Sequence, residues 1–329
     1  MPEISENSHK ISAAQLFCIL LLMRVSSELA YPSKGGFGGS GLAAALTAEA
    51  VRFLIALPVL IYACKGGGFY AAVWRKNRFL GWVAAVGAAL LLAGFVVRTA
   101  VYASGFVRRN MLLKTPQLLI ALLMAAFAVY AAVKGGEALA RAGVLFLWAA
   151  GIVTVLLILA DIPYMDFGRE LPQWSTALFL TDVVERFCRS GEYLVFAALL
   201  PYVRNSNSVD RKKLGAAGFC FAAAGAVCSA LFCVFFGAVL GEYYSMADYP
   251  IAAAGSLADV VLFKRLDGAA CAVWSMASAF RMGVMLFAAW SVIGEVLKCP
   301  RGASQPAPGK KSGAGENSFC CLPERSHCC

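Results

Sequence analysis

The sequence has few charged residues for a chain of 329. Asp, Glu, Lys and Arg make up 15% of it, whereas a soluble domain usually has about 25%. This shortage excludes a soluble enzyme of one or two domains and a disordered chain. Apolar residues take the place of charge, at 60% of the total. At ~20 residues per membrane-crossing helix, they allow at most about nine or ten crossings. We therefore predict an all-α, multi-pass transmembrane helix bundle.

Histidine is almost absent. The two histidines are His9 and His327, and both lie in the polar ends of the chain. Histidine-based acid–base catalysis inside the bundle is therefore excluded. The dinucleotide-binding, phosphate-binding and zinc-protease motifs are also missing. We predict that the protein is not an enzyme and uses no cofactor.

Cysteine is frequent, but its placement does not indicate a disulfide framework. Several of the twelve cysteines lie in or beside apolar runs, where a thiol behaves as a small hydrophobic group. The end of the chain clusters Cys320, Cys321, Cys328 and Cys329 around His327. Such a cluster could bind zinc or carry acyl chains, but its spacing matches no standard metal site. We predict a polar, Cys-rich tail that holds no metal.

The long apolar runs divide the chain into three parts. We predict a polar lead over 1–10, a transmembrane domain over 11–297 and the tail over 298–329. Within the domain, 161–190 is a mixed-charge segment. Seven runs are long enough to cross a membrane: 11–30, 42–63, 79–104, 112–133, 139–159, 214–240 and 269–296. The runs 192–203 and 251–263 are shorter, which is typical of broken or re-entrant helices that line a polar cavity.

The positive charge indicates membrane orientation. The net charge is +10, and the basic residues concentrate in short loops between apolar runs, as they do in cytoplasmic loops. We therefore expect the N-terminus inside and no nucleic-acid partner. Nine crossings would place the basic tail outside, against the same rule. Either one short run does not cross, or a further helix is missing after Val296.

Ionisable residues inside an apolar run are expensive, and each is a candidate functional residue. In the first run, Arg24 and Glu28 are spaced i,i+4 and share one helix face. The intervening Ser26 and Ser27 could let the helix open and present its backbone to a ligand. A structural ion pair at a helix end explains the same pattern, and the sequence leaves both interpretations open.

Four further residues extend this set. Glu49 and Arg52 are spaced i,i+3, which favours a structural pair facing the bundle. Arg98 and Arg281 have no local acid, so we expect each to form a buried pair with another helix, and direct ligand binding is the alternative. We interpret the stripe of small residues at 218, 222, 225 and 229 as a helix-packing surface.

The start of the short run 192–203 is a second candidate for a binding site. Gly191 lies directly before its first residue, Glu192, and Tyr193 follows. Glycine beside a buried acid fits a discontinuous helix whose end faces a polar site. An ordinary loop-to-helix junction, with the acid favoured by the helix dipole, is the alternative.

Five segments, in order, resemble the spore germination permeases, which are the B-subunits of endospore germinant receptors. The resemblance covers residues 10 to about 296. The segments are Lys10–Phe17, Leu113–Pro116, Lys134–Arg141, Gly191–Glu192 with Leu200–Val203, and Tyr249–Pro250 with Lys264–Asp267 and Trp274.

The resemblance implies a ten-helix, inverted-repeat fold of the amino acid–polyamine–organocation transporter superfamily. Its ligand lies between broken first and sixth helices, which map near Ser26–Ala30 and Gly191–Tyr193. The tenth helix of this fold is missing here. In the family the core of the first helix is usually rich in glycine, whereas here it contains Glu28, whose charge would favour an amine or weaken carboxylate binding. The implied ligand-binding residues are Ser26, Ser27, Glu28, Tyr102, Gly191, Glu192, Tyr193 and Ser256. The implied structural or coupling residues are Arg24, Arg98, Arg265 and Asp267.

The function implied by this resemblance is a germinant-receptor subunit in the spore inner membrane or cell membrane. It would bind a small germinant such as an amino acid, with an A-type membrane subunit and a C-type lipoprotein as partners. An amino-acid permease of the same fold is the first alternative. A membrane scaffold that binds no ligand is the second.

Overall fold

The structure is a computed structural model, and its described part is a helical bundle. It describes residues 11–31, 33, 39–64, 68–167, 174–203, 208–258 and 267–297. The predicted lead over 1–10, the tail over 298–329 and Arg265 lie outside these residues. Within them, the β-structure is one isolated bridge between Ile11 and Val203. The division into lead, domain and tail stays a prediction.

The described residues form twelve α-helices and two short 3-10 turns. The helices are α1 Ala13–Ala30, α2 Gly39–Ala63, α3 Phe69–Lys76, α4 Arg78–Asn110, α5 Gln117–Val133, α6 Gly136–Asp161, α7 Thr176–Cys188, α8 Glu192–Leu199, α9 Ser208–Leu240, α10 Tyr243–Met246, α11 Pro250–Leu257 and α12 Asp267–Leu297. The 3-10 turns are Ile162–Tyr164 and Leu200–Tyr202.

Each of the seven long apolar runs forms a helix. Six of these helices are long and apolar enough to cross a membrane, namely α1, α2, α4, α6, α9 and α12, and α5 is a shorter apolar helix. α12 is the most central, because 72% of its most apolar stretch is buried, against 17% for α6. The outward faces of α5 and α6 expose large apolar side chains such as Leu118 and Trp148. In a bilayer such faces contact lipid, so the all-α, multi-pass prediction is confirmed.

α1 begins at a capping box and ends before a proline. The Ser12 hydroxyl accepts a hydrogen bond from the Gln15 amide at 3.1 Å, and the Gln15 side chain accepts one from the Ser12 amide at 2.9 Å, which satisfies two exposed donors. At the other end, Tyr31 has an extended backbone, with φ −103° and ψ 134°. Pro32 disfavours helical geometry at the residue before it, so the helix ends at Ala30.

The predicted break in the first helix, between Ser26 and Ala30, is wrong. α1 is continuous through this stretch. The Ser26 and Ser27 hydroxyls donate to the carbonyls of Met23 and Arg24, at 2.9 and 3.1 Å. Hydroxyls bonded to their own preceding turn are compatible with helix, so the two serines do not open it.

The break predicted at Gly191 is present, and it interrupts a longer helical segment than the sequence indicates. α7 ends at Cys188 and α8 starts at Glu192, so the end of the mixed-charge segment 161–190 is helical. The pair runs antiparallel to α1: the amide of Ile11 donates to the Tyr202 carbonyl at 2.9 Å, and Arg186 contacts Glu28 at 3.0 Å. The break therefore lies beside the second half of α1, where the Arg24 guanidinium is 3.4 Å from the Ser190 hydroxyl.

The second short run does not form a crossing helix in the described residues. α11 has eight residues, or about 12 Å of helix, against the ~30 Å of a bilayer core. In the second half of α12, the Phe287 ring lies 5.3 Å from that of Tyr202. The Tyr202 carbonyl accepts a hydrogen bond from the amide of Ile11, so the second half of α12 lies on the side of the bundle where α1 begins. This favours the interpretation that one short run does not cross.

Candidate functional site

A group of charged side chains lies at the break between α7 and α8, deep in the bundle. None of these side chains is more than 11% exposed. We call the group the central ion cluster. Its members come from α1, α2, α7, α8 and α12, and they are Arg24, Glu28, Glu49, Arg52, Asp182, Arg186, Glu192 and Arg281.

Arg24 is the hub of the central ion cluster. Its guanidinium lies 2.6 Å from Glu49, 3.5 Å from Glu192 and 3.8 Å from Glu28. The i,i+4 pair expected within α1 is therefore its weakest contact, and the closest is with α2. Arg24 thereby joins α1 to α2 and α8. Its assignment to a structural or coupling role stays a prediction.

A second set of contacts ties α2 to α7. Arg52 contacts Glu49, as its i,i+3 spacing indicates, and also donates to the carbonyl of Arg186. Arg186 contacts Asp182 at 3.1 Å and Glu28 at 3.0 Å. Both carboxylates are therefore paired with an arginine.

Arginines from three helices donate to the carbonyls at the end of α7. Besides Arg52, Arg98 of α4 donates to Cys188 at 3.1 Å, and Arg281 of α12 donates to Arg189 at 2.7 Å. The last carbonyls of a helix lack partners within it and carry partial negative charge. The two arginines without local acids thus stabilise a helix end. Arg281 also lies 3.7 Å from Glu192.

Glu192 starts α8 and is fully buried. Its carboxylate accepts a hydrogen bond from the Ser190 hydroxyl and faces Arg24 and Arg281. An acid in the first turn of a helix is favoured by the helix dipole. Gly191 packs on Phe95, whose Cδ2 would lie 2.9 Å from an added Cβ. Both interpretations of this junction therefore describe it in part: the acid lies in the first turn of a helix and also faces a polar cluster.

The central ion cluster is balanced and closed. Its four arginines match its four acids, so the formal charges of these described residues sum to zero. A cavity beside the last turns of α1, lined by Ser26 and Trp274, measures about 10 Å³, room for about one water. Tyr193 packs its ring against Phe221, at 5.4 Å between centroids. A ligand would enter this region only if the helices moved apart.

Sequence reasoning missed Ser229 of α9. Its hydroxyl lies 3.0 Å from both Glu28 and Glu49, so it bridges acids from α1 and α2. Its place in a stripe of small residues predicts packing alone. The i,i+4 spacing of Asp182 and Arg186 was the available signal for α7.

Two other predicted ligand residues, Tyr102 and Ser256, lie away from the cluster. A cavity of about 490 Å³ opens between the end of α4 and the start of α12. We call it the Arg109 cavity, after the arginine on its rim. Ser256 lines it, and Tyr102 lines an adjoining cavity of about 560 Å³ that shares Arg109 and Tyr249. The other residues lining the Arg109 cavity include Asn110, Tyr243, Met246, Asp248, Ala252, Asp267 and Cys271.

Aromatic side chains lie between the two regions. The Tyr102 hydroxyl contacts the carbonyl of Ala30 at 2.9 Å, at the end of α1. The indole of Trp274 donates to the Ser26 carbonyl at 2.8 Å. Tyr102 also packs on Tyr31, with ring centroids 4.1 Å apart. The last turn of α1, where a break was predicted, is therefore held from the side of the cavity.

Asp267 begins α12, where its carboxylate accepts a hydrogen bond from the Gly268 amide at 2.9 Å. Its backbone also packs closely on α11, since an added Cβ at Gly255 would lie 2.9 Å from the Asp267 Cα. Among the described residues, no group of three or more His, Cys, Asp or Glu side chains is placed to hold a metal ion.

No curated protein matches the sequence. A protein family does: residues 70–303 match the family described as spore germination protein. The matched region includes the α7–α8 break and the Arg109 cavity, and it covers more than half of the chain. The structure adds the bundle of apolar helices expected of a multi-pass membrane protein. The chain therefore belongs to the spore germination permease family.

Proposed function

We propose that this protein is the membrane subunit of a spore germinant receptor that binds a small germinant, such as an amino acid, and triggers germination. The α7–α8 break carries the proposal, because it interrupts the helical segment that runs beside α1 at the place where the central ion cluster joins five helices. Membership in the spore germination family supports the biological role.

The mechanism we propose is a shift between two arrangements of the helices around the break. A ligand changes such an equilibrium only by binding one arrangement more tightly than the other. The closed cluster represents one arrangement, because its acids and arginines neutralise each other. A charged ligand that competes for one of these partners would favour the other. This switch involves no covalent chemistry and no cofactor.

The proposed partners are an A-type membrane subunit and a C-type lipoprotein, in the spore inner membrane. The outward faces of α5 and α6 would contact lipid. Co-purification of both partners with the tagged chain tests this part. If neither partner is recovered from mild detergent, the proposed assembly is wrong.

The deciding experiment compares spores with and without this chain across a panel of small molecules. We expect at least one amino acid to trigger germination only when the chain is present, with recovery on complementation. An identical response from both spore types to every compound would overturn the proposal. Sustained uptake of the same labelled amino acid by proteoliposomes would instead identify a permease.

A further inference from the structure

The Arg109 cavity has the size and exposure of a site for a small polar molecule. Its volume of about 490 Å³ falls in the ~300–1,000 Å³ range of small-molecule sites. Unlike the region around Ser26, it requires no helix movement to admit a ligand.

The described lining of the cavity offers one arginine, Arg109, and two carboxylates, Asp248 and Asp267. Arg109 of α4 and Asp248, in the turn before α11, form an ion pair whose side chains are 61% and 69% exposed. Exposed pairs contribute only about 0–1 kcal/mol, so a ligand can insert between them at little cost. A carboxylate would bind the Arg109 guanidinium and an ammonium group would bind Asp248.

A chain of contacts leads from this rim to α1. The Arg109 guanidinium lies 5.8 Å from the centre of the Tyr249 ring. The Tyr249 ring in turn lies 5.0 Å from that of Tyr102. The Tyr102 hydroxyl contacts two carbonyls, those of Ala30 and Asp248. The backbone carbonyls of Asp248, which would hold the ammonium group, and of Ala30, at the end of α1, therefore contact the same hydroxyl.

That hydroxyl has a single proton to donate, and both of its partners are carbonyls, which only accept. The end of α1 and the turn at Asp248 therefore compete for one hydrogen bond. Movement of the turn toward a ligand would release the proton fully to Ala30. Two arrangements of this hydrogen bond are therefore available, one to Ala30 and one to Asp248.

We propose that the Arg109 cavity binds a small zwitterion of the α-amino acid class, with its carboxylate on Arg109 and its ammonium group on Asp248, and that Tyr102 transmits this occupancy to α1. The proposal rests on the proposed function and specifies where its ligand binds first. It assigns Arg109 and Asp248 to recognition and Tyr102 to positioning.

The test uses the full-length chain in lipid nanodiscs and a Ser256→Cys reporter. Ser256 lines the cavity, is exposed, and its hydroxyl donates only to the Ala253 carbonyl of its own helix among described contacts. The labelling rate at residue 256 by a small thiol reagent is read by peptide mass spectrometry, with each of the twenty L-amino acids as probe. We expect at least one to slow labelling tenfold or more, in a saturable manner.

Analogues and variants identify the contacts. The methyl ester of the protecting amino acid removes its carboxylate charge, and N-acetylation removes its ammonium charge, so neither should protect. Arg109→Ala and Asp248→Asn should each raise the half-protecting concentration at least tenfold, which equals about 1.4 kcal/mol. Arg141→Ala, which breaks an ion pair with Glu137 on α6, is the matched control and should leave protection unchanged.

Tyr102→Phe separates binding from transmission. It keeps the ring packing and removes the hydroxyl, so protection at residue 256 should persist while the germination dose response shifts at least tenfold. An unchanged dose response would overturn the role of Tyr102.

Two results would overturn the cavity as a binding site: no amino acid protects, or protection survives in Arg109→Ala and Asp248→Asn. If spores still need the chain for their response, the proposed function stands and only the site is wrong. If spores lacking the chain respond normally, the proposed function itself fails.

Discussion

The central ion cluster and the Arg109 cavity both pair arginine with carboxylates, in opposite surroundings. The Arg24 side chain is 1% exposed and contacts three acids, whereas Arg109 is 61% exposed and contacts one. Removing one partner of a buried pair costs about 3–5 kcal/mol, but an exposed pair is worth about 0–1 kcal/mol. The same chemistry therefore holds helices together in one place and remains available to a ligand in the other.

Replacing the hub should have the largest effect. Arg24→Ala leaves Glu49 and Glu192 buried beside an empty position, so we expect a loss of about 3–5 kcal/mol in the free energy of unfolding. Arg109→Ala should lose less than about 1 kcal/mol. Thermal unfolding of the purified protein in one detergent measures both. Equal losses would show that the two regions do not differ in the way the structure indicates.

Removing the Ser229 hydroxyl, which contacts two acids of the cluster, should have an intermediate effect on stability. Ser229→Ala deletes the bridge between Glu28 and Glu49, and a buried hydrogen bond to a charged group contributes about 1.5–3 kcal/mol. Ser245→Ala is a suitable control, because its hydroxyl donates to a carbonyl in an exposed turn. A Ser229→Ala protein as stable as the control would show that the Ser229 hydroxyl does not stabilise the two acids it contacts.

Added salt should produce the smallest effect on stability. It should affect the Arg109 pair and the central ion cluster differently. The Debye length falls from about 10 Å at 0.1 M to about 3 Å at 1 M, so the stability difference between wild type and Arg109→Ala should vanish at 1 M salt. The difference for Arg24→Ala should persist, because the pair is shielded from solvent ions. Loss of both differences would mean that water and ions reach the cluster.

The sequence predicts the long helices well because each needs only its own apolar run. It also identifies most buried charges on α1, α2 and α12, since an ionisable residue inside such a run stands out. It does not identify α7, because the charged residues of α7 interrupt its apolar pattern. Their partners on α1 and α2 become known only from the structure. The pairing of Arg109 with Asp248 joins residues 139 positions apart, and only packing brings them together.

The error at the end of α1 has the same origin. Ser26 and Ser27 indicate an opening when their hydroxyls are considered alone. In the structure the hydroxyls bond within the helix, while Trp274 and Tyr102 hold its last carbonyls from outside. Local composition does not determine which of these arrangements forms.

The central claim is that a ligand acts through the α7–α8 break, and Glu192→Gln tests it most directly. The substitution keeps the size of the side chain and removes its charge from between Arg24 and Arg281. Spores carrying this variant, or the Glu137→Gln control on α6, are compared for the concentration of amino acid that gives half-maximal germination. The account predicts at least a tenfold shift or a lost response for Glu192→Gln, with unchanged membrane insertion and an unchanged control. An unaltered dose response in Glu192→Gln would contradict it.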